Sequence, residues 1–282
     1  MTKPVDRAEL LARVQIHLEN RALIRNLQQY RDRLEGELDV AREIFEHLLP
    51  LASDVAVLET ALGLEIRPHM IQSSELGGDI WGVLNLGDRR LGVYLLDMAG
   101  RGVAAALNVC RLHSLVQELS SFAPHPARFL TELSASAHDL LVLGDHAVMI
   151  YGVIDVNAGS FTFASAAACK PLLIPGPGEA PVICEASGLP LGVTTRHDYE
   201  QYVVPFAAGA SLLLFSNAVL DALDAGGDGH NAQQSLRDLV ARTLESVEGP
   251  WAFQAVSKAL ATLVGDQPDD DHTLVWLSRP VA

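Results

Sequence analysis

Apolar side chains recur at alternating spacings of three and four residues along the first fifty positions, which are otherwise polar. Such a repeat keeps one apolar seam on the same side of a helix and favours a coiled coil. Pro50 predicts the end of this helix, because proline disfavours helical geometry in the preceding residue. A partner helix and the chain's own domain fit the seam equally well. Its positions are Ile24, Leu27, Arg31, Leu34, Leu38, Ala41, Phe45 and Leu48, of which only Arg31 is polar.

Beyond residue 50, short apolar runs typical of strands come in groups, and amphipathic helical patterns separate the groups. Grouped strands favour an α+β fold with layered sheets over a parallel doubly wound sheet. Helices are predicted at 102–120 and 126–142, and two more around 236–247 and 253–263. The predicted strands are 63–71, 80–86, 91–97, 147–155, 159–166, 171–175, 200–206, 211–216 and 273–277.

Composition narrows the class of protein. Apolar residues make up 49% of the chain and charged residues 20%, which is enough for a core and argues against wholesale disorder. The net charge of −15 disfavours nucleic acid or an anionic membrane as the main partner. Cys110, Cys169 and Cys184 show no Cys-x-x-Cys spacing, so we expect free thiols and a cytoplasmic location. Cys169 and Cys184 are expected in the core.

Polar clusters stand at the ends of several predicted strands. Carboxylates that are brought together repel each other unless cations neutralise them, and Mg²⁺ and Mn²⁺ take such oxygen ligands. Two such ions about 4 Å apart activate water and stabilise phosphoryl oxygens. Each cluster alone is typical of a turn or a solvated loop. Only the order and context of the clusters along the chain indicate a shared metal site. The clusters are Gly77-Gly78-Asp79, Asp97 to Gly102, Ser216-Asn217-Ala218 and Asp269 to Thr273.

Residues 41–277 resemble the PPM-type serine/threonine phosphatases, in particular the bacterial stress-response and sporulation-regulator subgroup. This resemblance implies an α+β fold in which two stacked antiparallel β-sheets are flanked by helices, preceded by a long N-terminal helix. It also implies a metal-dependent protein phosphatase. The segments that carry it are Leu76 to Asp79, Leu96 to Gly102 with Ala104 to Ala106, Gly188 to Gly192, Leu212 to Phe215 and Asp270 to Leu274.

The resemblance further implies roles for individual residues. Asp97 would bridge two Mn²⁺ or Mg²⁺ ions, and the backbone carbonyl of Met98 would bind one of them. Asp79 would hold metal-bound water and Asp270 would bind the other ion, so Asp79, Asp97 and Asp270 are the expected catalytic residues. Arg101 would contact a substrate phosphate or, equally, pair with one of the chain's acids.

The chain departs from the family pattern in two places. The third motif usually reads Thr-Asp-Gly, so Asn217 here offers a metal ion a neutral oxygen without charge. The family often has Ala-Gly-His where this chain has Ala166-Ala167-Ala168. Beyond these departures, the side chain of His272 is expected to point to solvent from a strand start.

Three functions therefore stay open. The first is a phosphatase with a weakened metal site that acts on a regulatory phosphoprotein, such as an anti-sigma-factor antagonist. The second is a pseudophosphatase adaptor that binds a sigma factor or its regulator. The third makes the N-terminal helix the functional part, as a dimerising relay.

The N-terminus resembles the last helix of a two-component receiver domain, through Lys3 to Asp6 and Glu9 to Val14. An ordinary amphipathic helix is the alternative. The expected organisation is a receiver remnant at 1–20, a helical linker or coiled coil at 21–49 and the PPM-type domain at 50–282. The expected partners are an upstream receiver domain, a second copy of the chain through the helix, and the phosphoprotein or sigma-factor regulator.

Overall fold

A computed structural model describes residues 7–73, 76–142, 144–224, 230–247, 251–264 and 270–281. The chain divides into two compact units, Met1–Ile44 and Phe45–Ala282. The receiver-like segment from Lys3 to Asp6 and the first aspartate of the acidic run, Asp269, lie outside the described residues. Within the described residues, no helix combines the length and apolar character that a membrane crossing needs.

The N-terminal helix α1 (Arg7–Glu46) forms the described part of the first unit and ends in the second. Seam residues Ile24 and Leu27 are exposed by 56% and 61%. Phe45, which belongs to the second unit, is only 1% exposed, and Leu48 is half-buried. The last seam positions, Phe45 and Leu48, are therefore buried or half-buried within the second unit.

The described residues of the second unit form two five-stranded antiparallel sheets, which confirms the predicted fold class. The strands are β1 (Glu65–Ile71), β2 (Asp79–Asn85), β3 (Arg90–Met98), β4 (Ala147–Asp155), β5 (Ser160–Ala166), β6 (Leu172–Ile174), β7 (Val182–Ile183), β8 (Tyr202–Pro205), β9 (Ser211–Phe215) and β10 (His272–Ser278). One sheet has the order β1-β10-β9-β6-β7, and the other has the order β2-β3-β4-β5-β8.

Helices accompany both sheets. They are α2 (Ala52–Leu62), α3 (Val103–Glu118), α4 (Pro126–Leu140), α5 (Asn217–Asp221), α6 (His230–Glu245) and α7 (Ala252–Val264), with a 3₁₀ turn at Ser120–Phe122. The alternation of side chains along each strand sends one set of residues between the sheets and the other towards the helices. On β10, Val275 and Leu277 join the core shared by both sheets, whereas Leu274 and Trp276 pack with α6 and α7.

Three short or atypical elements were missed by the sequence analysis. The helix α2 follows Pro50, but its apolar residues do not form a single stripe, so it lacks the periodic signal of an amphipathic helix. The strand β7 has two residues and the helix α5 has five, which is too short for a periodic pattern. The predicted strands and longer helices otherwise match the structure to within a few residues.

Candidate metal and active site

The site forms where β2 begins and β3 ends. The antiparallel register of these two strands places Asp79 directly opposite Asp97. The Met98 N–H donates to the Gly78 carbonyl at 3.0 Å. A Cβ on Gly78 would lie 3.1 Å from the Met98 carbonyl oxygen, so glycine permits this close approach. The sequence-predicted residues Asp79, Asp97 and Met98 are thus brought together.

Asp271 fixes the loop that leads into β2. Its Oδ1 accepts hydrogen bonds from the Ser73 backbone N–H at 2.8 Å and from the Ser73 hydroxyl at 3.0 Å. Its Oδ2 accepts from the backbone N–H of Gly78. Asp271 is only 6% exposed, and the hydrogen bonds from Ser73 and Gly78 satisfy its buried carboxylate. Sequence reasoning treated Asp271 as one of an acidic run and missed this structural role.

A second set of hydrogen bonds ties the start of β10 to the end of β9. The Ser216 hydroxyl donates to the Asp271 carbonyl at 3.1 Å and accepts from the Thr273 N–H at 2.9 Å. The Thr273 hydroxyl donates to Asp79 Oδ2 at 2.5 Å. A residue of the other sheet, Thr273, therefore orients the side chain of Asp79. In the sequence, Ser216 and Thr273 stand out only as parts of the polar clusters.

Asn217, at the position of the third motif, contacts Asp97 through its backbone. Its N–H donates to the Asp97 carboxylate, and its Oδ1 accepts from the Cys169 thiol at 2.9 Å. Burial, followed by the charge of Asp97, raises the pKa of the Cys169 thiol, which stays protonated. Cys184 is a core residue as predicted, whereas Cys169 also takes part in the site.

Asp270 and Arg101 lie at the mouth of the site. Arg101 Nε is 3.6 Å from Asp270 Oδ1, and both side chains are about half exposed, at 57% and 50%. An exposed pair of this length contributes little to stability. Of the two roles open for Arg101, the structure therefore shows the contact with an acid.

Burial and the crowding of carboxylates, in that order, raise the pKa of two aspartates in the site. Burial, followed by the charges of Asp270 and Asp271, raises the pKa of Asp97 to about 7. Burial and then the charge of Asp97 also raise the pKa of Asp79 well above its usual range, against the hydrogen bond from Thr273. Both effects disfavour the ionised carboxylates in the absence of a cation.

The donor set matches a hard divalent cation. Carboxylates of Asp79, Asp97 and Asp270, with the Met98 carbonyl and the Asn217 amide, offer only the oxygen ligands that Mg²⁺ and Mn²⁺ prefer. Within the described part of the chain, no three His, Cys, Asp or Glu side chains stand close enough to hold an ion as they are. Holding a cation would therefore require the side chains to turn towards it.

The side chain of His272 is fully buried, so the expectation that it points to solvent is wrong. β10 lies between β1 and β9, and its alternation sends His272 to the face covered by helices, next to His69. Both ring nitrogens of His272 and the Nε2 of His69 have no hydrogen-bond partner among the described residues. Burial, and then the charge of His69, lowers the pKa of His272 to about 4, so the ring is neutral.

One departure from the family pattern, Ala167, lies at an unusual backbone conformation. Ala167 has a φ of 56°, in the left-handed region that favours glycine, and the family often has glycine there. Alanine accepts this conformation at a cost of about 1 kcal/mol. Ala167 therefore adopts a backbone conformation that a glycine would adopt without this cost.

Comparisons with known proteins agree with this geometry. Phosphoserine phosphatase RsbP of Bacillus subtilis (strain 168) is 26% identical over 200 residues, covering 69% of this chain and 47% of that protein. Phosphoserine phosphatase RsbU of the same organism is 22% identical over 260 residues, covering 92% of this chain and 73% of that protein. The chain thus spans about half the length of RsbP.

A solved structure shows the same fold. The SiaA-PP2C domain of Pseudomonas aeruginosa superposes with a TM-score of 0.68 at 21% identity, covering 88% of this chain and 98% of that one. The family profile of Stage II sporulation protein E (SpoIIE) matches residues 87–280. This match confirms the predicted phosphatase subgroup, and the chain belongs to the SpoIIE family.

Proposed function

We propose that residues 50–282 form a metal-dependent protein serine/threonine phosphatase domain. The observation that carries this proposal is the pairing of Asp79 with Asp97 across β2 and β3, beside the Met98 carbonyl. The similarity to two phosphoserine phosphatases supports the same activity. Mn²⁺ or Mg²⁺, when bound, would supply the Lewis acidity that activates water and stabilises charge on phosphoryl oxygens.

The chain's own residues would hold and orient the reactants. Asp97 would bridge the two ions, the Met98 carbonyl and Asp270 would each bind one of them, and Asp79 would hold a water molecule. Thr273 keeps Asp79 Oδ2 in place through its hydroxyl. Arg101 would leave its long contact with Asp270 to bind the substrate phosphate, which its planar guanidinium suits.

We further propose that one of the metal positions is weakened. Asn217 contributes no charge where the family has an aspartate, and its Oδ1 accepts a hydrogen bond from Cys169. A cation beside Asn217 would therefore be held by fewer charges, and affinity for hard cations depends on ligand charge. The same observation favours the second candidate, a pseudophosphatase adaptor that binds a sigma factor or its regulator without hydrolysis.

The position in a signalling chain is part of the proposal. The resemblance of the N-terminus to the last helix of a receiver supports the proposal that this chain is the output part of a response regulator. A receiver domain would then control its activity. A regulatory phosphoprotein such as an anti-sigma-factor antagonist fits as substrate, because the related phosphatases act on phosphoserine by name. The three cysteines are free, which suits a cytoplasmic location.

We propose that α1 dimerises through the exposed part of its seam. Leu27 and Leu34 are 61% and 40% exposed, and a seam at coiled-coil spacing is stabilised by burial against a second helix.

We expect sedimentation equilibrium of the full chain to give a dimer, because the seam otherwise stays in water. Leu27→Asp with Leu34→Asp should shift the mass towards the monomer. Val40→Asp is the matched control, since Val40 is 58% exposed on the same helix but off the seam. A parent chain that is monomeric at high micromolar concentration would rule out the dimer.

The crowded carboxylates predict how stability depends on pH. A carboxyl group whose pKa is raised in the folded state stabilises the fold while protonated, and Asp97 loses this contribution as the pH rises through about 7. Without divalent metal, the free energy of unfolding should therefore fall by roughly 2–4 kcal/mol between pH 4 and pH 8.

Chemical denaturation in EDTA measures this effect. Asp97→Asn should flatten the pH dependence, whereas Asp139→Asn, an exposed aspartate on α4, should keep it. Millimolar Mn²⁺ should restore the parent's stability at pH 8, because cations neutralise the ionised carboxylates. A parent whose stability neither falls with pH in EDTA nor responds to Mn²⁺ would contradict the crowding argument.

A Mn²⁺ titration of phosphate release from a phosphoserine peptide tests the activity. We expect the parent to need millimolar Mn²⁺, and Asn217→Asp to lower the half-maximal concentration about tenfold, because it restores a charge. Asn157→Asp makes the same change at an exposed position and should leave the titration unchanged.

The other outcomes of this titration separate the two candidate functions. If only Asn217→Asp releases phosphate, the fold is competent but the natural chain acts as an adaptor. If both proteins are silent while folded and supplied with Mn²⁺, the phosphatase proposal fails.

A further inference from the structure

A cavity of about 550 Å³ lies at one end of the sheet that contains β9 and β10. Trp276 and Ser278 near the end of β10 line it, together with Ser211, the first residue of β9. The candidate metal site uses the opposite ends of the same two strands, through Thr273 and Ser216. The cavity is therefore separate from that site, and its volume is within the roughly 300–1,000 Å³ of small-ligand sites.

The walls of the cavity are mainly apolar. Ile174 and Trp276 belong to the core that the sheet shares with α6 and α7, and Leu244 of α6 packs against that core. The centroid of the Trp276 ring lies 6.2 Å from that of Phe253 on α7. The apolar body of a ligand would leave water on contact with these walls, which favours binding.

Hydrogen bonds and close packing fix the loop on one side of the cavity. The Glu179 N–H donates to the Gly176 carbonyl at 3.1 Å, and the Gly209 N–H donates to the Arg279 carbonyl at 2.6 Å. A Cβ on Gly209 would lie 3.2 Å from Pro177 Cδ, so the loop after β6 packs closely against the turn before β9. The described residues therefore form the cavity without a ligand.

The charged groups that line the cavity are three carboxylates and one guanidinium. They belong to Glu65, Glu179, Glu245 and Arg279. The guanidinium of Arg279 donates from Nη1 to the Phe206 carbonyl at 3.3 Å. Within the described part of the chain, none of the three glutamates forms an ion pair. The lining is thus net negative, and its carboxylates are open to a cationic partner beside apolar walls, where charges attract more strongly than in bulk water.

We propose that this cavity binds a small organic cation, in which an ammonium group is attached to an apolar body. The apolar body would lie along Trp276 and Leu244, and the ammonium group would donate hydrogen bonds to the glutamates. This ligand class fits both features of the lining, because a neutral apolar molecule would leave the carboxylates unpaired and an anion would be repelled by them. The inference goes beyond the proposed phosphatase activity and needs no metal.

Calorimetric titration of the full chain with tryptamine and with tryptophol tests the inference. The two probes share an indole-ethyl body, and at neutral pH tryptamine carries an ammonium group where tryptophol carries a hydroxyl group. We expect tryptamine to bind about tenfold more tightly, because hydrogen bonds to charged groups are the stronger ones. Glu179→Gln with Glu245→Gln should reduce this preference to about threefold or less, because it removes two charges and keeps the shape of both side chains.

Glu46→Gln with Glu118→Gln is the matched control, since both residues are exposed and neither lines the cavity. This variant has the same net charge as the test variant and should keep the parent's preference. The control thereby separates the cavity from a general attraction of cations to a chain with a net charge of −15.

Four results would each overturn the inference. They are no binding of tryptamine at millimolar concentration, equal affinity of the parent for both probes, an unchanged preference in the test variant, and an equal loss of preference in the control. The titration involves neither metal nor hydrolysis, so its outcome is independent of whether the chain is a phosphatase.

Discussion

The burial of two facing carboxylates at the joined ends of β2 and β3, together with their mutual repulsion, is the constraint on which the site depends. Asp79 and Asp97 face each other in the strand register, and burial raises the pKa of both. A protein gains nothing in stability from such a pair unless protons or cations neutralise it. The surrounding structure holds the two groups in place despite this cost.

That support comes mainly from the other sheet. Asp271 and Thr273, at the start of β10, hold the loop before β2 and the Asp79 side chain. Ser216, at the end of β9, ties these residues to α5 and thus to Asn217. The stacking of the sheets therefore positions the site directly, and a change that shifts β10 relative to β2 would alter the distances between the carboxylates.

Much of this arrangement follows from the sequence, and the reasons differ between its parts. Grouped strand patterns favoured an α+β fold with layered sheets, because alternation along a strand is a local property. The two antiparallel sheets were implied by the resemblance to the phosphatase family. Glycines and strand ends mark the segments of Asp79 and Asp97 in the chain, and the resemblance to the phosphatase family implied the roles of these two residues. Asp271 and Cys169 were not assigned their roles, because their contacts join segments far apart in sequence. His272 was misjudged because a strand's place in the sheet order cannot be seen from the strand itself.

In the proposed function, the residue at position 217 decides how the domain is used. With Asp97, Asp270 and the Met98 carbonyl present, the chain would keep most of the oxygen ligands proposed for two cations. In the proposed site, the missing charge at Asn217 would lower metal affinity without removing the ligand position, so the activity would depend on the concentration of divalent metal. Such a domain would hydrolyse phosphoprotein when divalent metal is abundant and would only bind its partner when divalent metal is scarce.

Anomalous diffraction at the manganese edge from Mn²⁺-soaked crystals would show whether cations neutralise the paired carboxylates. We expect a strong peak within bonding distance of an Asp97 carboxylate oxygen and a weaker peak on the side of Asn217. Crystals at neutral pH and millimolar Mn²⁺ that show no peak at Asp79 and Asp97 would rule out neutralisation by cations.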